Sequence, residues 1–151
     1  MSKDIRIKKG LNISLLGLAT KSISAAINSN YYSVRPEDFH GLIPKLIVKV
    51  GDKINAGDTV FFDKSNDSIK ITSPVSGEVI EVSRGEKRRI LEIKIKADKK
   101  IKFKTHKKLD LNNVSAEKIK EYLLKSGCWP FLKQRPYDII ANPDSRPKAI
   151  F

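Results

Sequence analysis

Between Lys45 and Lys96, apolar and polar positions alternate in short runs, and nearly every run ends at a turn-forming pair. Leu46, Val48 and Val50 alternate with Ile47 and Lys49, after which Gly51-Asp52 turns the chain. Asn55-Ala56-Gly57-Asp58 is a second turn and leads into Thr59–Asp63. Lys64-Ser65-Asn66-Asp67 reads as a hairpin tip, because Asn and Asp tolerate left-handed backbone and bond their own main chain. Ile69 and Ile71 flank Lys70, Pro74-Val75-Ser76-Gly77 turns into Glu78–Val82, and Arg84–Arg88 forms another tight loop. Leu91, Ile93 and Ile95 form the clearest alternation, which predicts a strand with those three on the core face. About seven short strands separated by turns predict a small sandwich or barrel.

The flanks follow other rules. Ile5–Gly10 alternates apolar and basic residues and predicts an edge strand. Residues 20–30 suggest a short helix capped by Thr20 with Ile23, Ala26 and Ile27 on one face. Residues 97–108 predict a lysine-rich strand or connector with Ile101 and Phe103 on one side. Next comes a helix with both ends marked: Ser115 caps, Glu117 suits the first turn, Lys125 the last, and Gly127 the position just beyond. Ile119, Tyr122, Leu123 and Ser126 share its inner face. The remaining segment holds four prolines and is predicted to be mostly extended, ending on an apolar Ala149-Ile150-Phe151 that reads as the start of a strand in a longer protein. The expected organisation is an N-terminal strand and helix segment over 1–39, a β core over 40–104, and a helix with an extended linker over 105–151. A weak repeat supports a two-part core: Val48-x-Val50-Gly51-Asp52-Lys53 and Val82-x-Arg84-Gly85-Glu86-Lys87 share a strand, glycine, acid and lysine.

Composition narrows the chemistry more than the fold. The chain has 151 residues, 40% hydrophobic and 31% charged, enough to build one core without staples. No run has the ~18 apolar residues of a membrane-spanning helix, and the start lacks a signal-peptide core. Cys128 is the only cysteine, which excludes an internal disulfide or a cysteine-ligated cluster; as a free thiol it is expected to be half-buried. With His40 and His106 far apart, no metal site is expected. The net charge of +13 calls for an acidic partner of some kind. Its lysines, however, fall at alternate strand positions such as Lys94 and Lys96, which is how a solvated sheet face reads, and no nucleic-acid-binding motif accompanies them. Phosphate loops, hydrolase elbows and zinc-protease motifs are absent, and the glycines Gly10 and Gly17 lack dinucleotide-binding spacing. No catalytic residue is expected.

Two resemblances add to this reading. "VKVGDKINAGD" and "SPVSGEV" within residues 45–96 resemble the biotinyl/lipoyl domain. That implies a mainly β fold: a barrel-sandwich hybrid core with a flanking strand segment and a C-terminal helix. Carrier members modify a lysine eight residues before the proline of the second motif. That count lands on Asn66, so Lys64 lies two positions too early, and the resemblance implies a scaffold without its cofactor arm. As a non-enzymatic lipoyl-like binding module, such a scaffold would suffice by itself.

A longer resemblance covers almost the whole chain. "IRIKKGLNI", "RGEKR", "LLKSGCW", "RPY" and "DSRPKAIF" are similar, in order and spacing, to the N-terminal third of the A subunit in the sodium-translocating NADH:quinone oxidoreductase family. Cys128 stands where that family is expected to have leucine. The resemblance implies a peripheral protein on the cytoplasmic face of the bacterial inner membrane, in a complex that couples NADH oxidation and quinone reduction to sodium export. The complex uses NADH, flavins, iron–sulfur centres and quinone; this part would carry no cofactor, and its partners would be the other subunits, with quinone near the full-length protein. The alternative is the N-terminal region of the large soluble RnfC protein of the Rnf ferredoxin:NAD oxidoreductase, which begins with a similar barrel. The part seen here is expected to dock rather than to catalyse. Arg84, Glu86, Lys87, Arg88 and Arg89 form the candidate interface, since interfacial arginines make rigid paired contacts with carboxylates.

Overall fold

The computed structural model describes residues 16–25, 27–110 and 113–149. Seven of its strands form two antiparallel sheets. The first has the order β1-β7-β6-β3, from Tyr31–Val34 (β1), Ile90–Ala97 (β7), Gly77–Arg84 (β6) and Lys53–Ile54 (β3). The second has the order β2-β4-β5, from Pro44–Leu46 (β2), Thr59–Asp63 (β4) and Asn66–Thr72 (β5). Their inner faces share one apolar cluster. Val60, Phe61 and Ile71 from the second sheet meet Val34, Val79, Ile93 and Ile95 from the first. Phe39 closes one end, edge-on to Phe61 with ring centroids 6.3 Å apart. This is the sandwich that short alternating strands predict, and Tyr31–Val34 joins its first sheet by pairing with β7.

The turns between strands are held as their residues suggest. The Asp52 carboxylate accepts from the Lys49 N–H at 2.7 Å, and that of Asp58 accepts from the Asn55 N–H at 2.8 Å. Both are local loops closed by an acidic side chain. At the entry to β6 the requirement is close approach: a Cβ on Gly77 would overlap the Lys96 carbonyl across the β6–β7 pair. No other residue fits there.

The strand register corrects one expectation. Ile93 and Ile95 are buried, but Leu91 is 41% exposed and Ile90 lies in the core instead. The pairing with β6 slips between Ser83 and Arg84, where Ser83 opposes Glu92 and Arg84 opposes Ile90. That bulge inverts the in–out alternation for the strand's first residues.

The C-terminal helix forms as punctuated. Ala116–Ser126 (α1) is capped by Ser115, whose Oγ accepts from the Lys118 N–H, and ends at Gly127 in left-handed backbone with φ 76°. Gly127 also lies against Thr72 so closely that a Cβ would collide with that side chain, which seats the helix end on β5. Beyond it the chain is more ordered than an extended linker. Lys133–Gln134 (β8) and Ile139–Ile140 (β9) pair as a small hairpin, and Trp129 donates from Nε1 to the Ala141 carbonyl at 2.8 Å.

Three further expectations fall differently. The strand over 5–10 lies outside the described residues, as do Ala26 and the final Ile150-Phe151. The described part of 20–30 is not helical: Ile23 and Ile27 are fully exposed, so no apolar face is buried to stabilise a short helix. Cys128 is exposed rather than half-buried, because the chain turns there to bury its neighbours Gly127 and Pro130.

Candidate functional site

The expected interface forms the β6–β7 hairpin tip. Its backbone is tightly closed: the Gly85 N–H donates to the Arg89 carbonyl at 2.8 Å, and the Arg89 N–H to that of Glu86 at 3.1 Å. Closure forces Lys87 and Arg88 into left-handed backbone, with φ 53° and 61°. Two consecutive non-glycine residues there cost about 1–2 kcal/mol each. Arg84 Nη1 donates to the Arg88 carbonyl at 3.3 Å, so one arginine braces the loop that carries the others. Among the described residues, none of Arg84, Lys87, Arg88 and Arg89 has a carboxylate at ion-pair distance. The structure therefore brings all five residues together on one exposed, fixed loop with four unpaired cations. The first copy of the repeat does otherwise, taking its left-handed residue at Gly51 with φ 93°.

Lys64 sits at a different corner. It is the first residue of the two-residue turn between β4 and β5, exposed, with Asp63 paired to Asn66 on either side. The hairpin thus presents Lys64 at its tip, and the offset in sequence does not turn it away from solvent. What distinguishes this tip is its attachment to the chain before β2. The Lys64 N–H donates to the Ile43 carbonyl at 2.7 Å, and the Asp63 carboxylate accepts from the N–H groups of Ile43 and Ser65.

An apolar groove of about 200 Å³ lies between β1, the end of β5 and the turn after α1, lined by Val34, Phe39, Ile71, Pro130 and Phe131. Arg35 and Asp38 stand at its edge, but no nucleophile and base face one another there. Among the described residues no three His, Cys, Asp or Glu side chains gather as a metal-ligating group. His106 packs edge-on to Tyr122 at 6.0 Å, and His40 is exposed.

The shifted carboxylates have structural causes. Partial burial pushes Asp58 up, but the Asn55 N–H and the Lys104 ammonium, 3.2 Å away, outweigh it and hold the group below its ordinary value. Glu81, on the exposed strand face, is lowered by the Ser83 hydroxyl and by Lys94 at 3.5 Å. Both belong to turns and strand faces, not to a poised acid–base pair. Sequence reading missed a second cationic surface, residues 99–108, whose lysines looked like one face of an ordinary strand.

Comparison with known proteins bears on the same regions. Residues 5–98 match the family described as the NqrA N-terminal barrel-sandwich hybrid domain, and residues 114–151 match the NqrA second alpha/beta domain. The curated relatives include the A subunit of the Na(+)-translocating NADH-quinone reductase of Yersinia pestis, 35% identical over 97% of this chain and 33% of the relative. The proteins of the same description from Pseudomonas aeruginosa and Photorhabdus laumondii are 35% and 33% identical, over 97% of this chain and 34% and 33% of the relatives. The chain therefore spans about one third of the length of the curated relatives it matches. No helix among the described residues is long and apolar enough to cross a membrane.

Proposed function

The chain belongs to the NqrA family, and we propose from that premise that it serves as the N-terminal third of the NqrA protein of a sodium-translocating NADH-quinone reductase. The observation that carries the reading is the pair of domain matches in order along one chain, together with relatives of one description aligned over 97% of it. None of the relatives reported above supports the Rnf alternative. On this reading the whole complex takes electrons from NADH to quinone and exports sodium, using flavins and iron–sulfur centres carried elsewhere. This part sits at the cytoplasmic face of the bacterial inner membrane and docks against other subunits. It holds no cofactor: Lys64 stays unmodified, since its turn is pinned to Ile43 and lies two positions from the carrier site. The unpaired Arg84–Arg89 loop is the docking element, because a loop held in left-handed backbone presents its cations without further loss of freedom.

A chimaera tests this. The matching third of the Pseudomonas aeruginosa relative is replaced by this chain, and membranes are assayed for sodium-stimulated NADH-quinone reductase activity. Assembly of the tagged chimaera with the other subunits and retained activity are expected. A stable chimaera that leaves the other subunits behind would refute the reading, provided the same graft from Photorhabdus laumondii assembles.

A further inference from the structure

Residues 99–108 carry six lysines and no acidic residue. The stretch falls between the two matched domains, which end at 98 and begin at 114, so it belongs to neither shared fold. It is nevertheless not a free linker. The Lys102 carbonyl accepts from the Ala56 N–H at 2.9 Å, and the Lys104 N–H donates to the Ala56 carbonyl at 2.8 Å. Ser76, fully buried, accepts from the Lys102 N–H at 2.8 Å and donates to the Asp98 carboxylate at 2.9 Å. The connector is thus fastened along the barrel with Ile101 turned to the core and its lysines outward. Lys53 and Lys96 line, with Lys102, a polar cleft of about 330 Å³, but Glu78 and Asp98 line it too, so the uncompensated cations are those of the connector itself. Among the described residues only Lys104 of the six has an ion-pair partner, Asp58. In the middle stands Phe103, 71% exposed.

We propose that this lysine rail, with Phe103 at its centre, is a docking surface for an anionic phospholipid bilayer. Two observations favour lipid over an acidic protein, and a third favours binding of either. Every cation of the rail is lysine, a hydrated point charge on a flexible stem, which suits a diffuse field of headgroups better than the fixed geometry of protein carboxylates. An exposed aromatic ring surrounded by ammonium groups can enter the headgroup boundary while its neighbours remain wet. The backbone is already ordered by the barrel, so binding need not fix it. The surface stands apart from the proposed place in a complex, since a vesicle requires no other protein.

The test is co-sedimentation of the chain with vesicles of neutral phosphatidylcholine, alone or with about one third phosphatidylglycerol. Binding to the anionic vesicles only is expected, falling as salt is raised. Replacing Lys99, Lys100, Lys107 and Lys108 by Gln should weaken it by well over a hundredfold, at about fivefold per lysine. An Arg84→Gln, Arg88→Gln variant of equal fold, checked by circular dichroism, should bind within about threefold of the parent, its charges lying on another loop. Phe103→Trp should add a blue-shifted emission on anionic vesicles that the parent lacks. Equal losses in the lysine and arginine variants would overturn the location, reducing the effect to net charge. Chain that ignores vesicles, or binds duplex DNA while vesicles fail to compete, would overturn the lipid assignment.

Discussion

The slip in the β6–β7 pairing makes a sharp prediction at Ile90, Leu91 and Ile93. Uninterrupted alternation would place Leu91 in the core and Ile90 outside, whereas the bulge does the reverse. Truncating Ile93 to Ala removes three buried carbons between Val34 of β1 and Val82 of β6. At about 0.8 kcal/mol per carbon plus the cavity left behind, the loss should be about 2–5 kcal/mol. Ile90→Ala belongs in the same range, near its lower end, since that residue borders the hairpin tip. Leu91→Ala removes as many carbons, but the side chain is 41% exposed and water fills the space. Scaling the transfer term by the buried share leaves about 1–1.5 kcal/mol, with no cavity term. For a chain of this length each kcal/mol moves the melting temperature by about 2–4 °C, so the three variants separate in a thermal melt. Urea titration supplies the free energies and, through the slope, a check that the unfolding remains two-state. If Leu91→Ala is as damaging as Ile93→Ala while Ile90→Ala is mild, the bulge is misplaced and the simple alternation was right.

Four other outcomes follow from the same structure. Gly77→Ala should destabilise by about 3 kcal/mol or more, because the new methyl meets the Lys96 backbone and not a yielding side chain; a urea midpoint matching the parent would dismiss that contact. Asp58 has its folded pKa below the unfolded value, so its contribution is full above the unfolded pKa and is lost as pH falls through the folded one. Asp58→Asn should therefore be less stable than the parent at neutral pH, with the gap closing below about pH 4, and a gap constant with pH would contradict the sign. Intact mass of the chain produced beside biotin and lipoate ligases should be that of the bare polypeptide; an added cofactor would make Lys64 a carrier lysine. Charge reversal by Arg84→Glu and Arg88→Glu should leave the isolated chain folded yet weaken assembly of the full complex, and normal assembly would remove the loop from docking.

The parts of the fold legible in sequence are those governed by local chemistry. Asp52 and Asp58 close their turns over three residues, and Ser115 and Gly127 bound α1 through contacts within a turn or two. What could not be read depends on distant partners. The bulge exists only in relation to the residues of β6, so nothing in Leu91-Glu92-Ile93 announces it. A helix over 20–30 needed a surface on which to lay Ile23 and Ile27, and none is offered among the described residues. The small hairpin of β8 and β9 has two residues per strand, too few for any periodicity to register. Ile101 and Phe103 share a side in an extended chain, yet the bridge between Ala56 and Phe103 keeps one against the core and leaves the other in water.

The candidate sites divide along the same line. Sequence placed Arg84, Glu86, Lys87, Arg88 and Arg89 in one tight loop, and adjacency alone made them a cluster. It did not show that Lys87 and Arg88 take left-handed backbone, nor that the loop's cations lack carboxylate partners among the described residues; both depend on how the hairpin closes. The lysine rail was misread for the opposite reason. Its spacing is that of any solvated strand, and spacing cannot tell a strand whose lysines meet carboxylates from one in which only Lys104 does, at Asp58. The first sheet provides the contrast: there Lys94 reaches Glu81 and Lys96 stands opposite Glu78, so charge is balanced across the strands. Residues 99–108 belong to neither sheet and pair with Ala56 through a single bridge, so among the described residues Asp58 is the one carboxylate at ion-pair distance from them. A net charge of +13 is thus not spread evenly over the fold. It remains uncompensated where the chain runs along an edge, and it is there that a charged surface outside the molecule finds cations free to meet it.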